Sequence, residues 1–141
     1  MRILVVDDHD ESRDITVAVL ISAGFSDVTA AASAWDALSI LEIRPLTSGA
    51  PTVDLILLDI VMPNIDGIEL LARIRKDGRY ANLPIIMLTS LDDMESLEGA
   101  LIAGASDYLT KPFTRMELVT RMHTAAKLPT IHKRGAESST H

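Results

Sequence analysis

Residues 55–59 read Leu-Ile-Leu-Leu-Asp and run on into Ile60-Val61-Met62-Pro63-Asn64-Ile65-Asp66-Gly67. Four apolar residues in succession leave no polar face. A short run of this kind, bounded by turn residues, fits a strand covered on both sides, as in a parallel sheet. The strand ends on Asp59, an acid that a core does not need.

The same signature recurs along the chain. Ile3-Leu4-Val5-Val6 leads into Asp7-Asp8, Ile85-Ile86-Met87-Leu88 leads into Thr89-Ser90, and a weaker run at Tyr108-Leu109 leads to Lys111. Val28-Thr29-Ala30 is fainter and suits an edge strand. Helical periods lie between these runs: Ala34, Ala37, Leu38 and Leu41, then Leu97, Ala100, Leu101 and Gly104. Further stripes begin at Ile15, Ala18 and Val19, and at Ile68, Leu71 and Ala72. Gly24, Gly78 and Gly104 stand where a left-handed residue would close a helix.

Thr114 and Glu117 spell a capping box, Phe113 and Leu118 its hydrophobic staple, and Pro129 a stop. Arg44 to Thr52, with two prolines and a glycine, reads as a long surface loop. Strand and helix thus alternate five times, which implies an α/β fold: a parallel sheet with helices on both faces and right-handed crossovers.

The length of 141 residues suits one domain, residues 1–128, followed by a polar, aperiodic tail or linker start over residues 129–141. With 48% hydrophobic and 23% charged residues the chain is globular rather than disordered. The absence of cysteine excludes disulfides and thiolate chemistry. The apolar runs are too short for a signal peptide or a membrane helix, so a soluble, cytoplasmic protein with no membrane partner is expected. A net charge of −7 argues against direct nucleic-acid binding.

In an open parallel sheet, ligands bind beyond the carboxyl ends of the strands. Asp7, Asp8, Asp59, Thr89 and Lys111 all fall there. Singly, each has a bland explanation: a helix cap, a turn residue, a strand end, a solvated lysine. Jointly, three carboxylates, a hydroxyl and an ammonium at successive strand ends make sense as a site for a cation and a phosphoryl group. Clustered carboxylates repel one another, and a hard divalent ion relieves that. One carboxylate is then free to attack phosphorus, giving an aspartyl phosphate. Transfer requires mainly alignment and charge neutralisation.

These residues carry a resemblance. Leu4-Val5-Val6-Asp7-Asp8, Leu58 to Gly67, Leu88-Thr89-Ser90 and Gly104 to Phe113 resemble the receiver domain of two-component response regulators, from about Arg2 to Leu128. The resemblance implies a flavodoxin-like doubly wound five-stranded parallel sheet, order 2-1-3-4-5, with five helices. It implies that Asp59 is the phosphoacceptor and that Mg2+, or alternatively Mn2+, is held by Asp7, Asp8, Asp59 and the backbone carbonyl of Val61. Asp8 would ligate directly and Asp7 through water. Lys111 would contact the phosphoryl group, Thr89 and Tyr108 would form the switch pair, and the Lys111–Pro112 bond would be cis.

The implied phosphodonor is a sensor histidine kinase or a histidine phosphotransfer protein. The implied partner on the other side is a downstream target or fused output domain. It would meet the face of the fourth helix, fifth strand and fifth helix, which also offers a homodimer surface. The protein would be a signalling domain rather than an enzyme, assisting only its own phosphorylation and dephosphorylation. Val61 and Leu91, at the positions that vary and tune lifetime, are apolar and cannot orient an attacking water, so a long-lived phosphoryl group is expected.

Rival readings are weaker. A phosphatase of the haloacid-dehalogenase kind needs an aspartate where Val61 stands. A flavodoxin-like flavin binder needs a hydroxyl- and glycine-rich loop where Asp7-Asp8-His9-Asp10-Glu11 stands. A receiver that is never phosphorylated usually lacks some of the acidic, threonine or lysine positions present here. His9, His123, His132 and His141 read as surface residues, none in a phosphodonor context.

Overall fold

The computed structural model describes residues 1–43, 50–62, 66–90 and 95–127. Its strands are β1 (Arg2–Val6), β2 (Asp27–Ala31), β3 (Leu55–Asp59), β4 (Ile85–Thr89) and β5 (Asp107–Thr110). Its helices are α1 (Asp10–Ser22), α2 (Ala34–Ile40), α3 (Gly67–Lys76), α4 (Leu97–Ala103) and α5 (Arg115–Lys127), with a 3-10 turn at Gly78–Tyr80. All strand pairs are parallel, in the order β2-β1-β3-β4-β5.

The continuous apolar runs have a simple cause. Alternate residues of each central strand enter different cores. Leu4, Val6, Ile56, Leu58, Ile85 and Met87 face one cluster, with Ala34 and Ala37 of α2, Leu70, Leu71 and Ile74 of α3 and Ala100 of α4. Ile3, Val5, Leu55, Leu57, Ile86 and Leu88 face the other, with Leu20 of α1 and Leu118, Met122 and Ala125 of α5. β2, paired only to β1, is the edge strand whose residues are mostly exposed.

Register then places the site. Val6 pairs with Leu58, so Asp7 and Asp59 follow side by side on adjacent strands. Asp59 pairs with Leu88, and Thr89 with Thr110, which brings Thr89 and Lys111 to the same edge.

Some expectations need correction. On α1, Ile15 is 55% exposed and Ala18 is exposed as well, while Thr16 and Leu20 are buried. Thr16 tolerates burial because its hydroxyl donates to the Ser12 carbonyl (3.1 Å), so the inward stripe is offset by one residue. On α3 the inward stripe is Leu70, Leu71 and Ile74, with Ile68 and Ala72 only half-buried. On α4, Leu101 is 46% exposed; this short helix buries Leu97 and Ala100 instead.

Gly24 and Gly104 are left-handed (φ 98° and 114°), but Gly78 is not. Extended Asp77 ends α3, and its carboxylate accepts the Arg79 N–H, opening the 3-10 turn. The capping box is present: the Thr114 N–H donates to Glu117 Oε1 (3.0 Å) and the Glu117 N–H to Thr114 Oγ1 (3.1 Å). Lys111–Pro112 is cis. Among the described residues no helix is long and apolar enough to cross a membrane. Most of the Arg44–Thr52 loop, Pro63 to Ile65 of the Asp59 motif, Leu91, Leu128 and the 129–141 tail lie outside the described residues.

Candidate phosphoryl and cation site

Asp7, Asp59 and Thr89 are the buried polar residues of this edge, each at most 6% exposed. Charges are not buried without partners, and the partners are specific. Asp7 Oδ1 accepts the His9 N–H (3.0 Å), and Asp7 Oδ2 accepts from Lys111 Nζ (3.2 Å). The same ammonium donates to Ser12 Oγ (2.9 Å) and lies 3.6 Å from Asp59 Oδ2. Asp59 Oδ1 accepts the Val61 N–H at 3.4 Å. Arg13 steadies the turn by donating to the Asp7 carbonyl (3.0 Å).

The backbone here is closely packed. Gly67 begins α3 against the Asp59–Ile60 peptide, its N–H donating to the Ile60 carbonyl (2.8 Å). A Cβ at Gly67 would collide with the Asp59 carbonyl oxygen and stand 2.8 Å from Ile60 Cα. Only glycine lets the helix start so near the acid.

Electrostatics separate the two buried acids. Burial pushes the Asp59 carboxyl up to about 6, the nearby Lys111 charge opposing this and Asp7 adding to it. Burial pushes Asp7 the same way, but the Ser12 hydroxyl, the His9 N–H and Lys111 outweigh it and hold Asp7 below the usual carboxylate range. Asp59 is thus the strained carboxylate of the pair.

The donor set fits a divalent cation. Asp7, Asp8, His9 and Asp59 each offer a ligand atom, all within 4.8 Å of one another. Asp8 Oδ1 is buried and accepts no hydrogen bond, with His9 Nδ1 3.2 Å away, and a buried carboxylate oxygen without a donor is what a hard oxygen-seeking ion satisfies. Val61, just past β3, leaves its side chain exposed while its backbone borders Asp59.

The switch candidates sit differently. The Thr89 hydroxyl donates to the Ser90 carbonyl (3.1 Å). Tyr108 is half-buried and packs against the cluster that includes residues of α3 and α4. Arg121 of α5 lies over its ring, 5.6 Å from the centroid, and is held by Asp107 at 3.0 Å. Ser12 and Arg13 went unnoticed in the sequence because their role depends on α1 folding back over the strand ends. His9 is a surface residue, as its sequence context implies. It is exposed, yet it flanks the acids.

Known proteins resemble this chain in sequence and fold. The profile of the response regulator receiver domain matches residues 3–123. A 14.6 kDa protein in the sodA1 3' region of Leptolyngbya boryana is 41% identical over 119 residues, which are 84% of this chain and 85% of that protein. The phosphate regulon transcriptional regulatory protein PhoB of Pseudomonas aeruginosa is 37% identical over 120 residues, 85% of this chain; the chain spans about half of PhoB (49%). The receiver domain of the sensor histidine kinase PA1611 from the same species, solved with magnesium coordinated in its active-site cleft, superposes with a TM-score of 0.76 at 31% identity, covering 90% of this chain and 98% of that one. Sheet order, strand-end acids and these likenesses agree, and the chain belongs to the response regulator receiver domain family.

Proposed function

We propose that Asp59 accepts a phosphoryl group from a phosphohistidine of a sensor histidine kinase or phosphotransfer protein. An Asp59 carboxylate oxygen attacks phosphorus, the P–N bond breaks, and the leaving imidazole nitrogen keeps the bonding pair and takes a proton from solvent. The observation that carries this reading is the placement of a buried, destabilised carboxylate 3.6 Å from a lysine ammonium and beside two further acids.

Lys111 contacts the incoming phosphoryl oxygens. Asp8, Asp59, the Val61 carbonyl and, through water, Asp7 would hold Mg2+ or Mn2+. When bound, that ion supplies positive charge against the phosphoryl oxygens and the clustered acids. The Thr89 hydroxyl leaves the Ser90 carbonyl for the phosphoryl group, and Tyr108 moves inward behind it, so phosphorylation shifts the population of two arrangements. The readout surface is α4-β5-α5, where Leu101, Ile102 and Met116 are exposed apolar residues suited to a target, an output domain or a second copy. In this reading residues 1–128 are one cytoplasmic signalling unit, residues 129–141 a tail or linker, and neither DNA nor a membrane is contacted by it.

The test is intact mass spectrometry after incubation with Mg2+ and acetyl phosphate. One added phosphoryl group, lost in Asp59→Asn and without metal, is the expected result. Labelling that persists in Asp59→Asn refutes the assignment.

A further inference from the structure

The proposed oxygen ligands of the cleft come from three acids and the Val61 carbonyl, but the side chain that completes the cluster is His9. Its backbone is fixed at the mouth: its N–H donates to Asp7 Oδ1, and it is the N-cap of α1 with φ −90° and ψ 116°. Its imidazole is not used to cap that helix. Instead Nδ1 stands 3.2 Å from Asp8 Oδ1 and 3.6 Å from Asp7 Oδ1.

The 3.2 Å approach is an ion pair when the imidazole is protonated, although Asp8 Oδ1 accepts no hydrogen bond. A neutral imidazole has a lone pair to offer, and Nδ1 belongs to a set of ligand atoms from Asp7, Asp8, His9 and Asp59 that all lie within 4.8 Å of one another. The spacing suits a shared cation: two ligands at right angles on an ion with bonds of about 2.1 Å lie roughly 3.0 Å apart.

We infer that His9 contributes its Nδ1 as an additional ligand to the divalent cation, so that the site accepts nitrogen-seeking ions such as Ni2+ and Co2+ more readily than three acids alone would. This rests on the reading of the cleft as a cation site. Mg2+ gains little from an imidazole, whereas later transition ions gain much, so His9 sets the order of preference rather than the existence of binding. His9 is 66% exposed, so the ring gives up few packing contacts to reach the ion, and replacing it leaves the core intact.

Two measurements on the full chain test this. In pulsed EPR with Mn2+, a coordinated imidazole gives 14N modulation; it is expected in the wild type and absent in His9→Ala. By calorimetry, His9→Ala is expected to weaken Ni2+ roughly tenfold or more while leaving Mg2+ within about twofold. Modulation missing from the wild type, or surviving in His9→Ala, overturns the inference, as does equal weakening of both ions. Asp8→Asn and Asp59→Asn separate the two levels. If they abolish Mn2+ binding but no nitrogen signal exists, only His9 falls; if neither affects Mn2+ binding, the cation site itself falls.

Discussion

Replacing Asp59 with asparagine should stabilise the metal-free protein, and by an amount that depends on pH. The Asp59 carboxyl is raised from 3.8 to about 6 by burial and by Asp7. The native state therefore holds this proton more tightly than the unfolded chain does. Between about pH 4 and 6 the native state binds the extra proton, and stability falls as pH rises through that window. Above it the full cost persists: about two pH units at ~1.4 kcal/mol each, or ~3 kcal/mol. Asparagine is uncharged at every pH and escapes that cost, although it forfeits the attraction of Lys111 3.6 Å away.

The expected gain in Asp59→Asn is thus about 1–3 kcal/mol at pH 8 and close to zero at pH 4. Urea unfolding in EDTA at pH 4, 6 and 8, followed by far-UV circular dichroism, measures it. An Asp59→Asn protein no more stable than the wild type at pH 8, or a difference that does not vary with pH, refutes the electrostatic account. Added Mg2+ should close the gap, because a ligand at a hundred times its Kd stabilises the native wild type by about 2.7 kcal/mol. The variant, lacking one carboxylate, should gain less.

Gly67→Ala should disturb the acid from behind, since its methyl would press on the Asp59–Ile60 peptide. A loss of about 2 kcal/mol or more in urea unfolding is expected, with slower acyl-phosphate labelling; unchanged stability would show that α3 can shift without cost. Val61→Asn should alter the decay of the phosphorylated protein, because an exposed apolar side chain beside Asp59 would become one able to orient water. Decay followed by intact mass that is identical in both proteins would contradict this.

The central strands were legible because burial on both faces writes itself as uninterrupted Ile, Leu and Val. The gathering of the candidate site was legible because acids, threonine and lysine at strand ends have no packing reason to be there. What was hidden needs the third dimension. The α1 stripe was misplaced because Thr16 is polar by composition yet satisfied within its own helix, so hydropathy counts it on the wrong face. Gly78 was read as a helix stop from its type alone, whereas Asp77 performs the ending through its carboxylate. Tyr80 is wholly buried because its hydroxyl donates to the Leu41 carbonyl (2.8 Å), a partner far away in sequence.

Arg75 marks the same limit more sharply. It is half-buried on α3, enough for its guanidinium to be pushed down to about 10. Its guanidinium donates to the carbonyls of Gly104 (2.9 Å), Tyr80 (2.8 Å) and Leu83 (2.6 Å). Carbonyl dipoles thus substitute for a counter-ion, and they belong to the turns that precede β4 and β5. The guanidinium thereby ties α3 to the approaches of those two strands. The far ends of the same strands lead to Thr89 and Lys111. No motif announces the Arg75 tie, because its contacts run to backbone atoms that every residue type possesses.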